Sequence, residues 1–335
     1  MNEYVAHARN TESGCKGGSP AQALLNAQDT KATVEESGKS PKRFLYLTQT
    51  EQCLPPNLAS SSQIGEPDTC NCDVIVLSFQ TECLERNSSH VLYLFDPNTG
   101  WGTGRNVLYF TAMNKTQVYN YYIFIDEDVV LRFNKFTPPA LKKMQPFRAF
   151  EEWLLDYEPA VGVLDYKTHH GATWTFNRRQ KLCGITERSM VVPIVWYDGL
   201  FNAYHRQAVK HLFDEKESWW ALHRYMLTAV ELKFRGQALM FVAITADNPT
   251  HRRYPISGEN LNTYWREYIE TIQQEAPLVY KNRSLFEDFK ENLNDYVINT
   301  LTYCMAVTRH KPIIPYAHFN SITKGSRNFQ TSWSI

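Results

Sequence analysis

Asp126 and Asp128 stand one residue apart at the end of an apolar run, 121–125, that holds two Tyr, two Ile and a Phe, and a second apolar stretch follows them. Carboxylates this close raise each other's pKa, and a divalent cation with oxygen ligands removes the conflict. The pair therefore reads as a metal site. A solvated turn carries such acids too. What separates the two readings is the run before them, which has the composition of a buried strand; in open α/β sheets ligands bind at the carboxyl ends of strands.

Upstream, Gly100, Gly102 and Gly104 alternate and lead into Arg105 and Asn106. Glycines allow close backbone approach, a helix N-terminus offers free N–H donors, and an arginine adds charge-assisted bonds. A diphosphate suits such a loop. The spacing is neither the dinucleotide fingerprint nor a P-loop, so a plain Gly-rich turn ending in a helix cap fits the same residues.

In the second half, an apolar run over 190–196 gives way to Asp198, and Asp214 and Glu217 precede Trp219 and Trp220. Sugar C–H faces stack on aromatic rings, and a carboxylate there can deprotonate a hydroxyl. Glu217 is the leading base candidate, with Asp214 and Asp198 behind it. The competing reading makes Glu217 a helix-capping acid and the two tryptophans core. His205 reads as a packed histidine. His251, Arg252 and Arg253 follow another strand-like run, 238–244, where imidazole can serve a metal and arginine a phosphate, or a basic surface loop forms.

Two or three strands, a Gly-x-Gly-x-Gly-Arg-Asn entry to a helix, and a strand ending in Asp-Glu-Asp together resemble a glycosyltransferase of the GT-A fold. The likeness spans roughly residues 43–255 and is most specific at Asp126 and Asp128. It implies an open, mixed, mostly parallel α/β sheet flanked by helices, and a nucleoside-diphosphate sugar as donor. By the same resemblance Asp126 and Asp128 hold Mn2+ or Mg2+ against the donor diphosphate, which Arg105 also contacts. A histidine from the later part of the chain completes the metal set; His251 is the match chosen, with His310 and His318 as alternatives.

The elements expected to position these groups are strands over 43–48, 73–79, 90–95, 121–125, 190–196 and 238–244. Helical spacing runs over 104–116, 203–213, 218–234, 261–274 and 285–303. Residues 1–42, rich in Ser, Gly, Thr, Lys and Glu, read as a disordered tail or stem. One large domain, 43–320, follows, with a nucleotide-sugar half over 43–135, an acceptor half with C-terminal helices over 136–320, and a tail over 321–335.

Composition narrows the partners. With 43% hydrophobic residues in 335, a sizeable core is expected, and 35 basic against 35 acidic residues leave no field for nucleic acid or anionic lipid. No apolar stretch reaches about 18 residues and no secretory leader layout opens the chain. A soluble domain is expected, attached to a membrane only through an anchor absent from this chain. Five of seven cysteines, Cys15, Cys53, Cys70, Cys72 and Cys83, fall in the first quarter, which favours disulfides over a metal set. Sequons at Asn87, Asn114 and Asn282 permit glycosylation. The expected setting is the Golgi or secretory lumen, with the cytoplasm as alternative.

The function expected is metal-dependent transfer of a sugar to a hydroxyl of a glycan, glycoprotein or small molecule, inverting or retaining. A non-catalytic carbohydrate- or nucleotide-binding protein of the same fold, or a metal-dependent nucleotidyltransferase, is the alternative.

Overall fold

The computed structural model describes residues 43–60, 63–66, 70–84, 89–166, 190–194, 197–209 and 237–250. The helices expected over 218–234, 261–274 and 285–303, and the tails over 1–42 and 321–335, lie outside them.

The first strands are apolar nearly throughout, as strands buried on both faces must be. β1 (Phe44–Thr50), β2 (Cys72–Ser78), β3 (Val91–Phe95) and β4 (Tyr121–Asp126) run parallel in the order β3-β2-β1-β4. From β1 the chain moves outward to β2 and β3, then returns across the sheet to β4 on the other side of β1. That reversal makes the carboxyl ends of β1 and β4 a topological switch point, where such sheets hold ligands. In register, Gln49 of β1 lies beside Asp126 of β4.

Beyond β4 the sheet continues with β8 (Phe201–His205), β6 (Val161–Asp165), β9 (Ala238–Asp247) and β5 (Val130–Phe133). β7 (Val191–Pro193) also pairs with β9. β8 is antiparallel to both neighbours, β4 and β6; β9 is parallel to β6, and β5 and β7 oppose β9. Among the described residues six strands thus share one direction and three oppose it, forming the open, mixed, mostly parallel sheet expected of a GT-A-like α/β chain.

Several local expectations are corrected. Residues 203–205, expected in a helix, finish β8, because pairing with β4 and β6 outweighs local spacing; the helix starts after them, as α4 (Arg206–Val209), and residues 210–213 lie outside the described residues. The helix expected from residue 104 begins three residues earlier, as α2 (Trp101–Met113). The run over 190–196 contributes only a three-residue strand. β5, β6 and α3 (Pro146–Tyr157) were not anticipated, and a one-turn helix α1 (Pro56–Ala59) interrupts the loop after β1.

α3 starts with Pro146 at its first position, where the missing N–H costs nothing. It buries Phe147, Phe150, Trp153 and Leu154 at helical spacing, and Trp153 stacks on Phe241 of β9 with centroids 5.0 Å apart. The same face buries Glu151, which accepts from the Tyr46 hydroxyl at 2.7 Å and pairs with Arg148 at 2.8 Å. Cys53 is disulfide-bonded to Cys83 and Cys70 to Cys72, in the early part of the chain where stapling was expected. No helix among the described residues is long and apolar enough to cross a membrane.

Candidate active site

β4 delivers Asp126 to the sheet edge, and the backbone N–H of Asp126 is fixed by the Leu200 carbonyl at 3.0 Å. The Asp-Glu-Asp turn is then clamped from below. Glu127 turns away and accepts the Glu51 N–H at 3.0 Å, while the Asn57 side chain donates to the Glu127 and Val129 carbonyls, both at 3.2 Å. The middle acid is therefore structural.

Asp128 is served by the other end of the sheet. β5 pairs with β9 from Val130 opposite Asp247, so the turn after β9 comes back beside Asp128, whose Oδ2 accepts the Thr250 hydroxyl.

Asp126 is the most perturbed group here. Its Oδ1 accepts from the Arg105 guanidinium at 2.9 Å and from the Trp101 indole N–H at 3.3 Å. Burial nonetheless pushes its carboxyl up to about 7; Arg105 works against that rise, and the charges of Asp198 and then Asp128 add to it. Among the described residues three carboxylates thus lie near one another at this edge, and the Arg105 guanidinium is bonded to the first of them.

That guanidinium is itself enclosed. The Arg105 side chain is 4% exposed, donates also to the Gly199 carbonyl at 2.7 Å, and lies 4.0 Å from the Trp101 ring centroid and 5.5 Å from that of Phe124. Gly199 has no space for a side chain, since an added Cβ would come within 2.5 Å of the Trp101 ring. The turn entering β8 is built round this contact: Asp198 Oδ1 accepts the Leu200 N–H at 3.0 Å, and Asn202 donates to the Asp198 carbonyl at 2.7 Å.

The glycines do not form an open loop. Gly100 is the N-cap of α2, its N–H bonded to the Thr103 hydroxyl at 2.9 Å, while Gly102 and Gly104 are buried in the first turns and Arg105 follows as the fifth helical residue. A Cβ on Gly104 would lie 2.0 Å from the Gln49 amide nitrogen, which donates to the Gly100 carbonyl at 3.0 Å. The glycine edge lets α2 close on β1, as the last glycine of a dinucleotide fingerprint does. Asn106 is buried, and its Oδ1 has no hydrogen-bond partner among the described residues.

Of the residues singled out from sequence, Asp126, Asp128, Asp198, Arg105 and Gly100 converge at this edge. Asp214, Glu217, His251 and Arg252 lie outside the described residues, as do Arg253, His310 and His318. Among those described, no three His, Cys, Asp or Glu side chains gather as a metal set. Trp101, Gly199, Asn202 and Thr250 were given no role from sequence. Only Trp101 carried a signal, a large aromatic between two glycines. His205 is packed as expected: it is buried at the opposite end of β8, edge-on to Tyr121 at 5.2 Å.

No family model and no curated relative matches this chain. Solved structures do. A protein from STIV shares 13% identity over 65% of this chain and 95% of that one, with a TM-score of 0.32. A mycobacterial protein shares 12% over 69% of this chain and 74% of that one, with a TM-score of 0.34. A mannosyltransferase from Pyrobaculum calidifontis, in complex with GDP-Man and Mn2+, shares 8% over 77% of this chain and 85% of that one, with a TM-score of 0.39.

Proposed function

We propose that this protein is a metal-dependent glycosyltransferase that moves a sugar from a nucleoside-diphosphate sugar to an acceptor hydroxyl. The observation that carries the reading is the gathering of carboxylate at the switch point: Asp126, raised by the charges of Asp198 and Asp128, with the buried Arg105 as its ion-pair partner among the described residues. Hard oxygen donors of this kind suit Mg2+ or Mn2+, which are commonly bound by one or two carboxylates together with substrate phosphates. A bound cation supplies Lewis-acid neutralisation of the departing diphosphate.

The chain's own residues do the rest. Asp126 and Asp128 are the cation ligands, and His251, next in sequence after the Thr250 that reaches Asp128, is the third. Arg105 is a positioning residue: enclosed and committed to Asp126, it fixes that carboxylate rather than touching a phosphate. The first turn of α2 begins at the same edge, and the positive end of its dipole favours the donor diphosphate. Glu217, with Asp214 and Asp198 as alternatives, takes the proton from the acceptor hydroxyl.

The test is incubation with a panel of nucleotide sugars, with and without Mn2+, followed by chromatography of the nucleotides. Metal-dependent release of a nucleoside diphosphate is expected. Release of pyrophosphate would make the protein a nucleotidyltransferase, and tight donor binding without turnover a binding protein.

A further inference from the structure

We propose that Asn114 carries an N-linked glycan and that its first sugar covers the exposed ring of Phe110. Asn114-Lys115-Thr116 satisfies the acceptor tripeptide. The tripeptide alone says little; its placement says more. Asn114 is the C-cap of α2, its backbone N–H on the Phe110 carbonyl at 3.1 Å, and the Lys115 N–H follows on Ala112 at 3.2 Å. The chain then runs without regular structure to β4. Asn114 and Thr116 are both exposed, and neither side chain is engaged by another described residue. Amide and hydroxyl are thus free at a turn, where a transferase can reach them.

Exposed apolar side chains lie close to Asn114 in sequence. Phe110 is 42% exposed and Val118 64% exposed, two of the few large hydrophobic side chains left outside the core among the described residues. Phe110 precedes Asn114 by four residues, so the two share a helix face, and side chains on a helix lean toward its N-terminus. A sugar on the Asn114 amide therefore starts out over Phe110. The C–H face of a pyranose on an aromatic ring removes apolar surface from water at little entropic cost.

Two further facts fit. A disulfide such as Cys53–Cys83 suits an oxidising compartment, the setting in which such glycans are added. And α2 separates the modification from the candidate active site, because its 13 residues place Asn114 about 20 Å along the axis from Trp101. A glycan there leaves the ligand edge open.

In the transfer itself the Asn114 amide nitrogen bonds to the anomeric carbon of a lipid pyrophosphate-linked oligosaccharide. The bond from that carbon to the pyrophosphate oxygen breaks, the lipid pyrophosphate leaves, and the amide loses one proton. No oxidant or reductant is involved.

The test uses protein recovered from the cells that make it. Peptides are treated with an amide-cleaving glycosidase in heavy-oxygen water, and conversion of Asn114 to a labelled Asp is expected; only unmodified Asn114 would overturn the proposal. The contact with Phe110 is tested by the loss of thermal midpoint on deglycosylating the folded protein, expected at about 1–3 °C for the native sequence and absent in Phe110→Ala. Equal losses in both would overturn the contact. Neither readout involves sugar transfer by this protein, so the proposal stands or falls independently of the enzymatic reading.

Discussion

Two carboxylates in this fold, one half-buried and one buried, each meet an arginine at nearly the same distance, Asp126 with Arg105 at 2.9 Å and Glu151 with Arg148 at 2.8 Å, yet they do different work. Glu151 is served locally. Arg148 lies three residues away on the same helix and bonds the Gln63 carbonyl as well, and the Tyr46 hydroxyl donates from β1, its own proton held tightly by burial first and then by the Glu151 charge. Asp126 has its arginine but also two acidic neighbours, and it stands at a strand end beside a switch point. A buried ion pair is not by itself a site. Surplus like charge at a place the topology leaves open is what distinguishes Asp126.

The widest separation between the two should come from Glu151→Ala. That change strands the buried Tyr46 hydroxyl and removes the charge partner of Arg148, and removing one partner of a buried pair costs about 3–5 kcal/mol. Urea unfolding should show the loss, while donor affinity of the folded fraction stays at the parental value. If Glu151→Ala weakened donor binding tenfold at full stability, the division of labour drawn here would fail.

Asp126→Asn should show the reverse pattern. The amide oxygen still accepts from Arg105 and Trp101, and Asp128 and Asp198 still offset the guanidinium, so stability should fall by only about 1–2 kcal/mol. Metal-stimulated transfer should drop by about 10²–10³, the usual loss when one preorganised charge is withdrawn from a developing anion. Asp128→Asn should match it. Turnover assays beside the same urea curves check both, and an Asp126→Asn enzyme with parental turnover would remove the metal assignment.

How much of this contrast was open to reading beforehand depended on range. Asp126 and Asp128 were visible because charge interrupts an apolar run, and β1, β2 and β4 were visible because such runs leave few alternatives at that length. Glu151 was not, and Arg105 was visible as a candidate for a diphosphate but not as the partner of Asp126. What Arg105 does is decided by a carboxylate 21 residues away and by the Gly199 carbonyl 94 residues away, and only the pairing of β8 with β4 brings these together. The strand over 201–205 carries no β-branched residue and sets Asn202, Ala203 and His205 beside its two aromatics, so its local preference was weak and its partners decided. β5 and β6, four and five residues long, are too short for a period to declare itself.

His205 sharpens the comparison from the edge opposite the acids. Burial first, and then the Arg206 charge, lower its imidazole from 6.5 to about 4. The unfolded chain therefore binds the proton more readily between those values, so the contribution is intact above about pH 6.5 and is lost as pH falls through 4, about 3 kcal/mol in all. His205→Phe keeps the aromatic contact with Tyr121 and removes the titration. Its unfolding free energy should change less between pH 7 and pH 4.5 than that of the parent, and an unaltered slope would place the acid-sensitive group elsewhere.

The smallest effect separates two jobs for one glycine. Gly104→Ala gains helix propensity, about 1 kcal/mol, but its Cβ would come within 2.0 Å of the Gln49 amide, so Gln49 must let go of the Gly100 carbonyl. Overpacking costs about 1–3 kcal/mol, and a net loss of about 1 kcal/mol is expected. Adding Gln49→Ala should return the thermal midpoint toward that of Gln49→Ala alone, since the methyl then has room. The double variant also reports on chemistry: if α2 needs a bare backbone at residue 104 only to close on β1, relieving the clash restores everything measured. A donor Kd that stays raised once the clash is gone would mean that the glycine keeps the helix edge open to phosphate, and the packing account of this residue would have to give way.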